Sequence, residues 1–189
     1  MQIIALLFFL VIFIIQLFRR EWLAIKIKYF LGLSIIAVTA WSVFMSRAQY
    51  YLWQGSEMTK LFLPPHTSIS YFIEYSFWNF WAPNLISFTI GLIFFWLAKY
   101  YNKRHEGQFF DSDELYIIWL SMFLVGHPLW IFYLLIFPVV IALVSIARIV
   151  IWKDNSKLPL YYFWLPIATF VILISKWLVV TSLFLKAKV

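Results

Sequence analysis

Long apolar runs separated by short polar clusters set the rhythm of this chain. Residues 2–18 are nearly continuous hydrocarbon, interrupted by Gln2 and Gln16 alone. They lack the basic leader and small-residue cleavage site of a signal peptide, and Arg19-Arg20 follow them, so they read as a retained first helix. A second run, 29–45, is led in by Trp22, Lys26 and Lys28. Residues 46–70 are mixed, with the aromatic group Tyr50, Tyr51 and Trp53 and the breaker Pro64-Pro65, and read as a loop. The third run, 77–98, carries Pro83, which should bend its early part, and leads into a polar loop at 99–112. From Leu115 to Trp152 only Arg148 is charged. As one helix that stretch would reach about 57 Å, roughly twice the hydrocarbon thickness, so it must fold back. Gly126-His127-Pro128 is the natural turn, dividing it into helices at 113–126 and 128–149. A last run, 158–183, carries Pro166 and Lys176.

The expected fold is all-α: a single integral membrane domain over 1–189 with about six transmembrane helices. Loop charge tests that division. With the N-terminus outside, the inner side holds Arg19, Arg20, Lys26, Lys28, Lys99, Lys103, Arg104, Arg148, Lys153 and Lys157. The outer side, including loop 46–70, holds Arg47, Lys60, Lys186 and Lys188. This is the asymmetry that the positive-inside rule expects, with 99–112 as an inner loop. A prokaryotic cytoplasmic membrane is the simplest location.

Composition agrees with the pattern. Apolar residues make up 65% of the chain and charged residues 12%, against about 45–50% and about 25% in an ordinary globular domain. A soluble enzyme is thereby excluded, because a soluble core of this size cannot hide the surplus. Aromatic residues reach 23%, a supply suited to headgroup belts and helix packing. The net charge of +7 reads as basic residues flanking helix ends, so no nucleic-acid partner is expected. Cysteine is absent, which excludes disulfides, thiolate metal sites and cysteine nucleophiles. The expected partners are the lipid bilayer and other membrane proteins or further copies of the chain. No cofactor and no metal is called for by any motif.

Candidate chemistry falls into two clusters on opposite faces. The inner one follows the third span: Lys103, Arg104, His105, Glu106, Asp111, Asp113 and Glu114. Its carboxylates could share a proton as paired acid and base. They also suit the first turn of a helix, with Ser112 or Asp113 as N-cap. The outer cluster is His66, Glu74 and His127, an acid–base or binding group if the three meet. Glu74, Trp78 and Trp81 share one helical face at i, i+4 and i+7.

One stretch carries a family likeness. Asp111-Ser112-Asp113-Glu114-Leu115 precedes an apolar helix, Gly126-His127-Pro128, a further helix, and then Leu158-Pro159 with Pro166. In order and spacing, residues 107–175 resemble the C-terminal half of type IV prepilin peptidases, membrane enzymes with two cytoplasmic aspartates. The resemblance implies that Asp111 or Asp113 is the second aspartate. Ala82-Pro83-Asn84-Leu85 is similar to the stretch that follows the family's first aspartate, but the matching position is Ser76. Gly107-Gln108-Phe109-Phe110 also lacks the family's second glycine.

Three functions follow as expectations. The first is a non-catalytic or accessory polytopic membrane protein, a degenerate relative of the prepilin peptidases. The second is a membrane aspartic peptidase using Asp111, Asp113 or Glu114. The third is a small carrier or lipid-handling enzyme centred on His66, Glu74 and His127. The nearly charge-free span centres count against proton-coupled transport.

Overall fold

The described residues are helical apart from short turns, and several helix ends fall where the sequence supplies a cap, a glycine or a proline. The computed structural model describes residues 2–105, 110–153 and 158–179. Glu106, residues 107–109, Lys157 and residues 180–189, with Lys186 and Lys188, lie outside the described residues.

The first helix, α1 (Gln2–Phe18), ends at Arg19, whose φ of −144° breaks the helical path. There the chain reverses into α2 (Arg20–Gly55), which packs back along α1. α2 does not stop at residue 45. It runs unbroken for 36 residues, about 54 Å, so the first part of the expected loop 46–70 is helix. Nothing in residues 46–54 breaks a helix; the first glycine after them, Gly55, closes it. A short 3₁₀ turn (Thr59–Phe62) follows, and α3 (Ile69–Ser76) begins with Ser68 as N-cap. A π-turn (Phe77–Trp81) joins α3 to α4 (Ala82–Arg104), where Pro83 occupies the first turn and needs no N–H partner. Beyond the main body, Trp53, Leu63 and Phe72 form a second small core between α2 and α3, with Tyr50 and Tyr75 packed on it.

The remaining helices are α5 (Ser112–Val125), α6 (Leu129–Ala147) and α7 (Trp164–Val179). Gly126 makes the reversal between α5 and α6 at φ +81°, a region open to glycine and strained for other residues. A π-turn (Arg148–Trp152) extends α6 to Lys153, and a 3₁₀ turn (Leu160–Tyr162) leads into α7.

α5 and α6 are both apolar on all sides, yet they meet different surroundings. α5 is buried at ten of its 14 positions and touches α1, α2, α4, α6 and α7. α6 buries only Leu129 and Tyr133. A helix apolar all round must be enclosed by protein or by lipid. α5 takes the first environment and α6 presents the surface suited to the second. The expectation of about six comparable spans is corrected accordingly. Among the described residues three helices are long and apolar enough to cross a membrane: Arg20–Gly55, Ile69–Arg104 and Leu129–Ile151. Ala5–Phe18 and Leu160–Ser175 are apolar but shorter, and α5 reaches only about 21 Å.

Close approach of α4 to α5 depends on Gly91. A Cβ there would lie 2.6 Å from Trp119 Cδ1 and 3.2 Å from the Trp119 carbonyl oxygen. Small residues set such contacts in lipid, where apolar surface alone does not drive helices together.

Candidate functional site

The two ends of α5 define two polar regions. The acidic end gathers Arg20, Asp111, Glu114, Tyr161 and Trp164; the histidine end contains Gly126 and His127.

At the acidic end Asn102 pins the chain before α5. Its side-chain amide donates to the Phe110 carbonyl at 2.7 Å and its oxygen accepts from Phe110 N–H at 3.1 Å. The N-cap is Asp111, one residue before the expected Ser112 and two before the expected Asp113, because residue 111 still has extended backbone. Glu114, at N3, reaches back and accepts from Asp111 N–H at 3.3 Å, as a capping-box carboxylate does. Its other oxygen accepts from Trp164 Nε1–H at 2.5 Å. Glu114 is 4% exposed, the one acidic side chain buried among the described residues. It lies in the polar first turn, ahead of the apolar run that starts at Leu115. Burial raises the Glu114 carboxyl above its ordinary range, opposed by the hydrogen bonds from Trp164 and Asp111 N–H and reinforced by the charges of Asp111 and Asp113.

The Trp164 indole is fixed in turn. It stacks on Phe137 with centroids 3.6 Å apart and planes 9° from parallel. Tyr133, fully buried, donates to the Trp164 carbonyl at 3.2 Å. Asp111 itself is exposed and pairs with Arg20 at 2.6 Å, while the Arg20 guanidinium lies 4.6 Å above the Tyr161 ring. Gln16, fully buried, donates its amide to the Tyr161 carbonyl at 2.7 Å. Asp113 is half-buried and makes no hydrogen bond or ion pair among the described residues. Asp111 and Glu114 thus tie α5 to α2 and α7. Among the described residues nothing brings them a carboxylate from another helix.

The three residues of the outer cluster are distributed differently from expectation. His127 lines a cavity of about 240 Å³ with Trp41, Asn79, Asn84 and Pro83. Its Nδ1 accepts from Trp130 Nε1–H at 3.3 Å, which places the proton of the neutral ring on Nε2. His66 and Glu74 are exposed and do not line that cavity. Among the described residues no three His, Cys, Asp or Glu side chains are grouped to hold a metal ion. The shared face of Glu74, Trp78 and Trp81 is corrected too. The π-turn widens the helix by a residue and rotates Trp81 inward, where its indole donates to Ser46 Oγ at 3.2 Å. Trp78 stays 47% exposed.

Ser76, the position expected to match a first aspartate if the prepilin-peptidase likeness held, is buried at the end of α3 and donates to Ser46 Oγ at 2.6 Å. It is separated from Asp111 by the 23-residue length of α4, about 34 Å.

Arg20, Trp164, Tyr133 and Tyr161 were not singled out as site residues by sequence. Their contacts join positions 91, 50, 31 and 145 residues apart, and no local spacing signals such pairs. No protein-family model, curated protein or solved structure matches the chain.

Proposed function

We propose that the chain is a polytopic integral membrane protein that acts without catalysis, as an accessory subunit working through helix contacts. The observation that carries this reading is the use made of the acidic end. Asp111 is taken up by Arg20, and Glu114 by Trp164 and its own helix cap. Carboxylates engaged in this way hold helices together and do not flank a reacting bond. The exposed face around Trp78 supplies apolar surface for a partner in the membrane. Its setting in this proposal is a prokaryotic cytoplasmic membrane, N-terminus outside, with the acidic end toward the cytoplasm. The excess of basic residues near that end supports the orientation. The short helices α1, α5 and α7 complete a six-helix bundle with the three long ones in this reading.

A membrane carboxyl peptidase is the second reading, and one feature favours it. Glu114 is pushed toward its protonated form beside Asp111 and Asp113, and a carboxyl raised in this way suits a general-acid role. The test is incubation of the full chain in vesicles with a type IV prepilin. The expected result is no cleavage, either by the native chain or by the triple variant Asp111→Asn, Asp113→Asn, Glu114→Gln. Cleavage that the triple variant abolishes would establish the peptidase and refute the accessory reading.

A further inference from the structure

We propose that Arg47 and the α2 face beneath it bind one phospholipid of the leaflet at the histidine end, with the phosphodiester on Arg47 and an acyl chain along residues 35–44. This site is separate from the acidic end and does not depend on the function proposed above.

Two hollows meet at Arg47. One is an open hollow of about 550 Å³ along a single face of α2, bordered by Ile36, Thr39, Val43 and Phe44. The other is a pocket of about 200 Å³ between Tyr50, Tyr51 and Phe72. The hollow is apolar apart from Thr39 and Arg47, and Ile36 and Phe44 are 67% and 60% exposed, so no described helix covers it. The pocket lies among phenol rings of the kind that settle at headgroup level. Its wall is held firmly, because Ser46 Oγ accepts from both Ser76 and Trp81.

Depth along α2 places Arg47 at the phosphates. No charged residue occurs between Lys28 and Arg47, a separation of about 28 Å, which matches the ~30 Å hydrocarbon core. Arg47 therefore marks one edge of the apolar slab and Lys28 the other. From Arg47 the groove descends to Ile35, about 18 Å, comparable with the ~15 Å depth of one leaflet.

Charge decides the occupant. Arg20, at the other end of the same helix, has Asp111 as its counter-ion. Arg47 has no carboxylate and no hydrogen-bond acceptor among the described residues. A planar guanidinium at an interface can donate two parallel hydrogen bonds to the non-bridging oxygens of a phosphodiester, a match that water only partly replaces. A second protein helix laid in the groove would fill the apolar stripe but leave that cation unmatched.

The full chain, stripped of lipid in detergent, can be titrated with dioleoylphosphatidylglycerol or with dioleoylglycerol, which lacks the phosphate, and read by native mass spectrometry. One tightly held phosphatidylglycerol is expected, with dioleoylglycerol weaker by roughly tenfold, the scale of one charge-assisted hydrogen bond. Arg47→Ala should bring phosphatidylglycerol down to the dioleoylglycerol level. Val43→Trp should fill the groove and weaken both lipids, whereas Leu135→Trp, on the exposed face of α6, should change neither. Equal binding of the two lipids, native-like binding by Arg47→Ala, or equal losses from both tryptophan variants would overturn the proposal. Displacement of the lipid by inorganic phosphate would assign the pocket to a free anion. A dimer mass abolished by Val43→Trp would assign the groove to a second copy, and either result refutes the lipid site.

Discussion

Gly91 and Gly32 offer the same substitution in two different surroundings. Both lie inside long helices, Gly91 in α4 and Gly32 in α2. Replacing either with alanine gains a similar helix propensity, up to about 1 kcal/mol. At Gly32 the new methyl meets nothing within 4 Å. At Gly91 it would lie 2.6 Å from Trp119 Cδ1, against about 3.5–4.0 Å for an ordinary carbon contact. Trp119 has little room to yield. Its indole donates to the Phe88 carbonyl at 3.3 Å, and its ring packs on Phe88 and Phe95 at centroid distances of 5.2 and 5.4 Å. The second contact, 3.2 Å to the Trp119 carbonyl, is with backbone. Overpacking of this kind costs about 1–3 kcal/mol. The propensity gain cancels between the two variants, so the difference between them isolates the packing cost. For a chain of this size, at about 2–4 °C per kcal/mol, that predicts Gly91→Ala melting roughly 2–12 °C below Gly32→Ala. Thermal unfolding in detergent, followed by tryptophan fluorescence, measures the gap directly. If the two variants melt together, α4 does not approach α5 as closely as described, and the central position of α5 fails with it.

Two further outcomes follow from the acidic end. Because the Glu114 carboxyl is raised in the fold, the native state holds its proton more tightly than the unfolded chain does. Stability should be greatest below the ordinary value of 4.5 and fall as pH rises through the raised one. Glu114→Gln should flatten that dependence in melts taken from below pH 4.5 upward, and an unchanged slope would contradict the buried carboxyl. The Arg20–Asp111 pair should matter much less. Its side chains are 45% and 62% exposed, so Arg20→Met should cost under about 1 kcal/mol, and less in high salt. A loss of several kcal/mol on chemical denaturation would mean that the pair is far better shielded than its exposure indicates.

Much of this architecture is set by local chemistry. Apolar runs of spanning length, the Gly126 turn and the all-helical class are legible in the sequence, because chain geometry and lipid leave few alternatives to helices. The acidic first turn of α5 is legible for the same reason, since a carboxylate three residues after an aspartate N-cap is a local arrangement. Other features were settled only in three dimensions. Hydrophobicity does not separate α5 from α6, because enclosure by protein and exposure to lipid both select apolar side chains. The reach of α2 through residues 46–55 was hidden because polar and aromatic residues there suit a helix outside the apolar slab as well as a loop. Glu114 acquires its partner Trp164, and Asp111 acquires Arg20, by the way distant helices meet. Such pairings depend on which faces pack together, a property of the assembled bundle that no stretch of chain carries alone.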